Sequence, residues 1–201
     1  MKGQINLDSQ AGQEIVKIVN RNDILNIVES GTWNGGGTTT CVLSFLKDNQ
    51  EFYSIELYDD MYHQAQINLE SFMNRSNFHL IKGSIINYDD IFWFDHNSID
   101  FKNDGHARLW FNRDLENLKK SKNICDKLPN SIDLLILDGG EYSTYPEWIK
   151  LKERTKIVFL DDTNLFKTKK IREELLKDTQ YKILVDMPED RNGFAIFERI
   201  E

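Results

Sequence analysis

Residues 27–39 read IVESGTWNGGGTT. An apolar run from Ile24 to Val28, broken only by Asn26, leads into an acid, Glu29. A turn carrying Gly31, Gly35, Gly36 and Gly37 follows, and then a helix-like segment from Thr38 to Leu46. Strand, acid, glycine turn and helix in that order open a nucleotide-binding α/β unit. Glycine lets the backbone turn sharply and approach a ligand with no Cβ in the way. An acid at the strand end accepts hydrogen bonds from ligand hydroxyl or amino groups.

The segments on either side extend this unit into a sheet. Ser9 is placed to cap a helix running to about Asn20, with Ile15, Val16, Ile18 and Val19 inward. Strands are expected at Ile24–Glu29, Glu51–Glu56, Phe78–Ile81, Ile132–Asp138, Lys156–Asp161, Tyr181–Val185 and Phe194–Arg199. Further helices are expected at Asp59–Met73, Asn112–Asp126 and Lys167–Lys177. The fourth and fifth strands are continuous apolar runs, as strands buried on both faces are. The turn-rich MPEDRNG (187–193) predicts an antiparallel hairpin between the last two. The alternation predicts one α/β domain: a doubly wound, Rossmann-like sheet of seven strands, mostly parallel, with a C-terminal antiparallel hairpin and helices on both faces. Ligands of such sheets lie at the carboxyl ends of the strands. Glu29, Glu56, Asp138 and Asp161 all fall there. Residues 85–130, rich in Phe92, Trp93, Phe94, Phe101, Trp110 and Phe111, read as an insertion that either covers an acceptor site or packs as an arm or dimer contact.

Composition narrows the class. At 201 residues with 40% hydrophobic content, the chain is long enough for one domain with a full core. A net charge of −8 argues against nucleic acid as a partner, which calls for a basic surface. Cys41 and Cys125 make neither a disulfide framework nor a zinc spacing. The N-terminal MKGQINLDSQ lacks an apolar signal core and no apolar run spans a bilayer, so no membrane partner and a cytoplasmic location are expected. A homodimer is one expected assembly.

The spacing from Gly31 is G-x-x-x-G-G-G, not the G-x-G-x-x-G of dinucleotide sites. With Glu29 it resembles the E-x-G-x-x-x-G pattern of class I S-adenosylmethionine-dependent methyltransferases. Within that class, Glu29–Gly36 resembles the macrocin O-methyltransferase group. LDGGEYSTYPEW (137–148) and FLDDTN (159–164) are similar to stretches of macrocin-type and catechol-type enzymes. The resemblance covers nearly the whole chain. The chain is shorter than the better-known members and carries LDGGE where they tend to have a second aspartate.

The resemblance implies S-adenosylmethionine as donor and a sugar or phenolic hydroxyl as acceptor. It also implies Mg²⁺, or another divalent metal, on Asp138, Asp161 and Asp162. Glu29 and the backbone of Gly31, Thr32, Trp33 and Gly35 are then assigned to the methionine part of the donor, with Asp138 beside them. Glu56 is assigned to the ribose hydroxyls and Ser84 to adenine. Glu141 is the choice for general base and His106 the second, with Asp138 among the catalytic groups. Tyr142, Tyr145 and Trp148 either line an acceptor pocket or serve packing, and Arg191 and Asn192 either face the site or only make their turn. The basic run Lys167–Lys170 reads either as a solvated helix start or as a contact for an anionic acceptor. The expected function is metal-assisted O-methylation of a small acceptor such as a sugar or surface-glycan precursor. The alternatives are methyl transfer to a nitrogen or phosphate-type oxygen, a catalytically silent binding module in a glycan-assembly complex, and a nicotinamide enzyme.

Overall fold

The computed structural model describes residues 4–200, with only the backbone described for Ile99 and Asp100. Seven strands form one sheet: β1 (Asn26–Ser30), β2 (Glu51–Glu56), β3 (Phe78–Lys82), β4 (Ile132–Leu137), β5 (Thr155–Asp161), β6 (Tyr181–Met187) and β7 (Phe194–Arg199). Their order is β3-β2-β1-β4-β5-β7-β6. The first five run parallel, and β7 lies antiparallel to both β5 and β6. The helices are α1 (Gln10–Val19), α2 (Thr38–Leu43), α3 (Asp59–Asn68), α4 (Ile99–Asn103), α5 (Gly105–Lys120), α6 (Thr144–Leu151) and α7 (Phe166–Leu175). The doubly wound sheet with its terminal hairpin is thus as the sequence predicts.

Alternation along the strands supplies two cores. Ile27, Phe52, Leu134, Ile157 and Phe159 face one side, packed against Ile15 and Val19 of α1 and Val42 of α2. Val28, Leu135, Leu137, Val158 and Leu160 face the other, against Trp148 and Leu151 of α6 and Ile171 and Leu175 of α7. Strand order reverses between β1 and β4, where a crevice opens at the carboxyl ends. Register levels those ends: Ser30 lies opposite both Ile55 and Leu137, and Leu137 opposite Leu160.

Several helices differ from expectation, among them the unforeseen α4 and an α2 that ends at Leu43. The helix expected to run to Met73 stops at Asn68 and continues as a 3-10 turn, Glu70–Phe72. The one expected at Asn112–Asp126 begins at Gly105, because Asp104 caps it by accepting from the N–H groups of His106 and Ala107 at 3.0 and 2.9 Å. α6 was not expected; its Pro146 sits in the first turn, where no intrahelical N–H is needed. Residues 85–130 are ordered around a third apolar cluster: Ile86, Ile91, Phe111, Leu118 and Tyr142. Among the described residues no helix is long and apolar enough to cross a membrane.

Candidate functional site

A cavity of about 1220 Å³ opens at the carboxyl ends of β1, β2, β4 and β5, with Gly31, Glu56, Asp138 and Asp161 on its wall. The glycine turn makes one side. The N–H groups of Gly31 and Thr32 both donate to the carbonyl of Ile55, at 3.0 and 3.1 Å. Gly31 has φ +95°, and a Cβ there would lie 2.2 Å from the Asp138 carbonyl oxygen. The turn therefore reaches β4 only because residue 31 has no side chain. Gly31, Thr32 and Trp33 line the cavity, whereas Gly35 packs against Leu69 behind it.

Glu29 does not line the cavity. Its carboxylate is fully buried and accepts from Thr38, from Thr39 at 2.7 Å and from Ser54 at 2.5 Å. Burial pushes this carboxyl up to about 7. The expected contact with the donor is corrected: Glu29 ties the start of α2 to β2 and so holds the glycine turn in shape. Ser84 is likewise turned away, its hydroxyl donating to the carbonyl of Ile86 at 2.9 Å, and Gly83 reaches the cavity in its place.

Glu56 ends β2 on the cavity wall. It accepts from the N–H of Trp33 at 2.6 Å and of Tyr58 at 2.8 Å, and burial pushes its carboxyl up to about 7. A carboxylate offers about four acceptor positions, so two stay free for a diol. Trp33 reaches it from a left-handed backbone, φ 53°. The rings of Trp33, Tyr58 and Trp110 surround the guanidinium of Arg113, which ties α5 to the glycine turn.

On the opposite side the three aspartates do meet: Asp138, Asp161 and Asp162 each offer an oxygen within 4.8 Å of the others. Each is already partnered. The ammonium of Lys167 lies 2.7 Å from Asp138 and 2.8 Å from Asp162. Arg191 pairs with Asp161, and Asn192 donates to Asp162 at 3.0 Å. With Lys167 seated between two of the three carboxylates, the triad as it stands carries a protein cation where the expected divalent ion would sit. The solvated reading of Lys167 falls: its side chain is only 8% exposed. Burial and the charge of Asp138 push the Asp161 carboxyl up.

Glu141 lines the cavity, half-buried, near the start of α7. Burial raises its carboxyl above the ordinary value. His106 also lines the cavity, exposed on α5, its Nε2 accepting from the Trp110 indole at 3.1 Å. Tyr142 lines it with Phe94, Phe101 and Phe166, whereas Trp148 is core and the Tyr145 hydroxyl donates to Glu174 outside it. Two buried acids escaped the sequence reading. Asp114 accepts from the Tyr58 hydroxyl and from the Tyr142 N–H at 2.9 Å, and Glu147 accepts from Ser30 at 2.5 Å. The signal was present: Asp114 falls between Phe111 and Leu118 on one helical face, and Glu147 between Thr144 and Leu151 on another.

No family model and no curated protein sequence matches the chain. Solved structures do. A protein of Staphylococcus aureus assigned as a caffeoyl-CoA O-methyltransferase aligns with TM-score 0.62 at 16% identity, over 97% of this chain and 85% of that one. The fold is that of the methyltransferases. A methyltransferase of Geobacter sulfurreducens aligns with TM-score 0.63 at 12% identity, over 98% and 82% of the two chains. An O-methyltransferase of Bacillus cereus in complex with S-adenosylhomocysteine (SAH) aligns with TM-score 0.62 at 12% identity, over 98% and 84%.

Proposed function

We propose that this chain is an S-adenosylmethionine-dependent O-methyltransferase acting on a small hydroxylated acceptor, such as a sugar or surface-glycan precursor. The observation that carries the reading is Glu56. It is a buried carboxylate at the end of the strand next to the glycine turn, oriented by two backbone N–H groups and facing the cavity. That is the geometry for gripping the ribose diol of a nucleoside. Gly31, Thr32 and Trp33 take the methionine part, and Leu57, Tyr58 and Gly83 flank the adenine end. The SAH bound to the Bacillus cereus protein of like fold supports this choice of donor.

The rest of the cavity suits an acceptor ring. Phe94, Phe101, Tyr142 and Phe166 offer aromatic faces to the apolar side of a sugar or phenol, and Asp95, Asp104 and His106 offer polar contacts. In the reaction the acceptor oxygen attacks the sulfonium methyl carbon while the carbon–sulfur bond breaks, its electron pair staying on sulfur. Glu141, kept basic by burial, takes the hydroxyl proton. Holding donor and acceptor in line supplies most of the acceleration.

Calorimetry tests the donor half. The wild type binds one SAH per chain. Glu56→Ala weakens that binding about 10- to 100-fold, since hydrogen bonds to a charged group are worth roughly 1.5–3 kcal/mol. No binding by the wild type, or unchanged binding by the variant, overturns the reading. Formation of SAH from added S-adenosylmethionine, dependent on a hydroxylated sugar or phenol, then identifies the acceptor class.

A further inference from the structure

We propose that the ammonium of Lys167 is the resident cation of the three-aspartate rim, so that this site works without a divalent metal. The inference rests on the methyltransferase reading and deepens it. Three carboxylates this close repel one another and need a compensating charge. Lys167 supplies it from the first turn of α7. It touches Asp138 and Asp162 directly, and Arg191 answers Asp161.

Lys167 is built into place by the turn before it. Asp162 takes a left-handed backbone, φ 55°, and the N–H of Leu165 donates to its carbonyl at 2.8 Å. The Thr168 hydroxyl donates to the carbonyl of Asp161 at 2.5 Å. The helix thereby starts directly under the rim. A lysine in a first turn opposes the helix dipole, which favours anions there. Glu141 lies beside the same first turn, where its negative charge offsets the conflict. A local rule broken and compensated in this way marks a residue kept for its site. Lys167 acts as a positioning residue. It holds Asp138 beside Gly31, where the donor's methionine end is assigned, and keeps a positive charge beside the acceptor oxygen as that oxygen loses its proton to Glu141.

Manganese binding, followed by electron paramagnetic resonance on chelator-treated full-length protein, tests this. The wild type is expected to bind no stoichiometric Mn²⁺ up to millimolar concentration. Lys167→Met, similar in shape but uncharged, frees the carboxylates and is expected to gain one Mn²⁺ site about ten-fold tighter or more. Adding Asp138→Asn removes that gained site, and Lys167→Arg gains none. One Mn²⁺ per wild-type chain that disappears in Asp161→Asn overturns the proposal, as does a folded Lys167→Met with no gain in affinity. If Lys167→Met fails to fold by circular dichroism, the wild-type titration alone decides. SAH calorimetry with and without chelator runs beside it: absence of SAH binding defeats the donor reading, whereas Mn²⁺ binding defeats only the role given to Lys167.

Discussion

At the scale of single residues, burial makes several of the cavity's carboxyl groups less acidic, Glu56, Glu141, Glu147 and Asp161 among them. Glu147 is the clearest, fully inside the protein with only serine donors, and burial pushes it up to about 7. An acid whose folded pKa lies above its unfolded value binds a proton on folding. Its stabilising share is therefore complete below the unfolded value of 4.5 and is lost as pH rises towards 7. Glu147→Gln removes the titration and keeps an acceptor for Ser30. The variant is expected to exceed the wild type in stability by up to about 3 kcal/mol near pH 8, with the gap narrowing steadily as pH falls to about 5. Urea unfolding at the two pH values measures it, and a gap that does not change with pH argues against a titrating Glu147. Cys41 shows the same physics at a thiol: buried, and pushed up to about 11, it has no reactive thiolate.

At the scale of elements, α5 is the piece whose placement matters most, because it roofs the cavity. Asp114 pins it to both halves of the sheet through Tyr58 beyond β2 and Tyr142 beyond β4. Even the second glycine of LDGGE serves this contact: a Cβ on Gly140 would lie 2.5 Å from the Asp114 carboxylate. Asp114→Ala leaves a buried hydroxyl and a buried N–H without partners and is expected to cost about 3 kcal/mol. Amide exchange should speed up across residues 105–120 ahead of the sheet. Uniform loss of protection over the whole chain would place Asp114 in the global core instead. How far the elements were legible follows from their chemistry. The strands were, because a short continuous apolar run such as Ile132–Leu137 suits a strand covered on both faces and little else. α6 was not, because eight residues with a proline in the first turn make little more than two helical turns, too short for their periodicity to stand out. The start of α5 was misplaced because Asp104-Gly105 reads as a turn until one sees that Asp104 is the cap.

At the scale of the molecule, strand order does the assembling. Reversal between β1 and β4 brings together Glu56 from one half and Asp138, Asp161 and Glu141 from the other, with residues 94–110 closing over both. That acids would gather at the strand ends was readable from the fold rule alone. Which way each points was not. Glu29 faces inward because Thr38, Thr39 and Ser54 surround it, and Lys167 is buried because Asp138 and Asp162, from a different strand and a different turn, converge on it. Such partners meet only in the folded chain. A ligand seated at this seam touches both halves and must stabilise them together. SAH at about 100 times its dissociation constant adds about 2.7 kcal/mol to the folded state. For a chain of this size that raises the melting temperature by roughly 5–10 °C. Scanning calorimetry should show one transition, shifted whole, because both cores share the strands that line the cavity. A transition that splits, with only one part moving, would mean that the ligand grips one half of the sheet alone. An unmoved transition would mean that the cavity does not hold the donor.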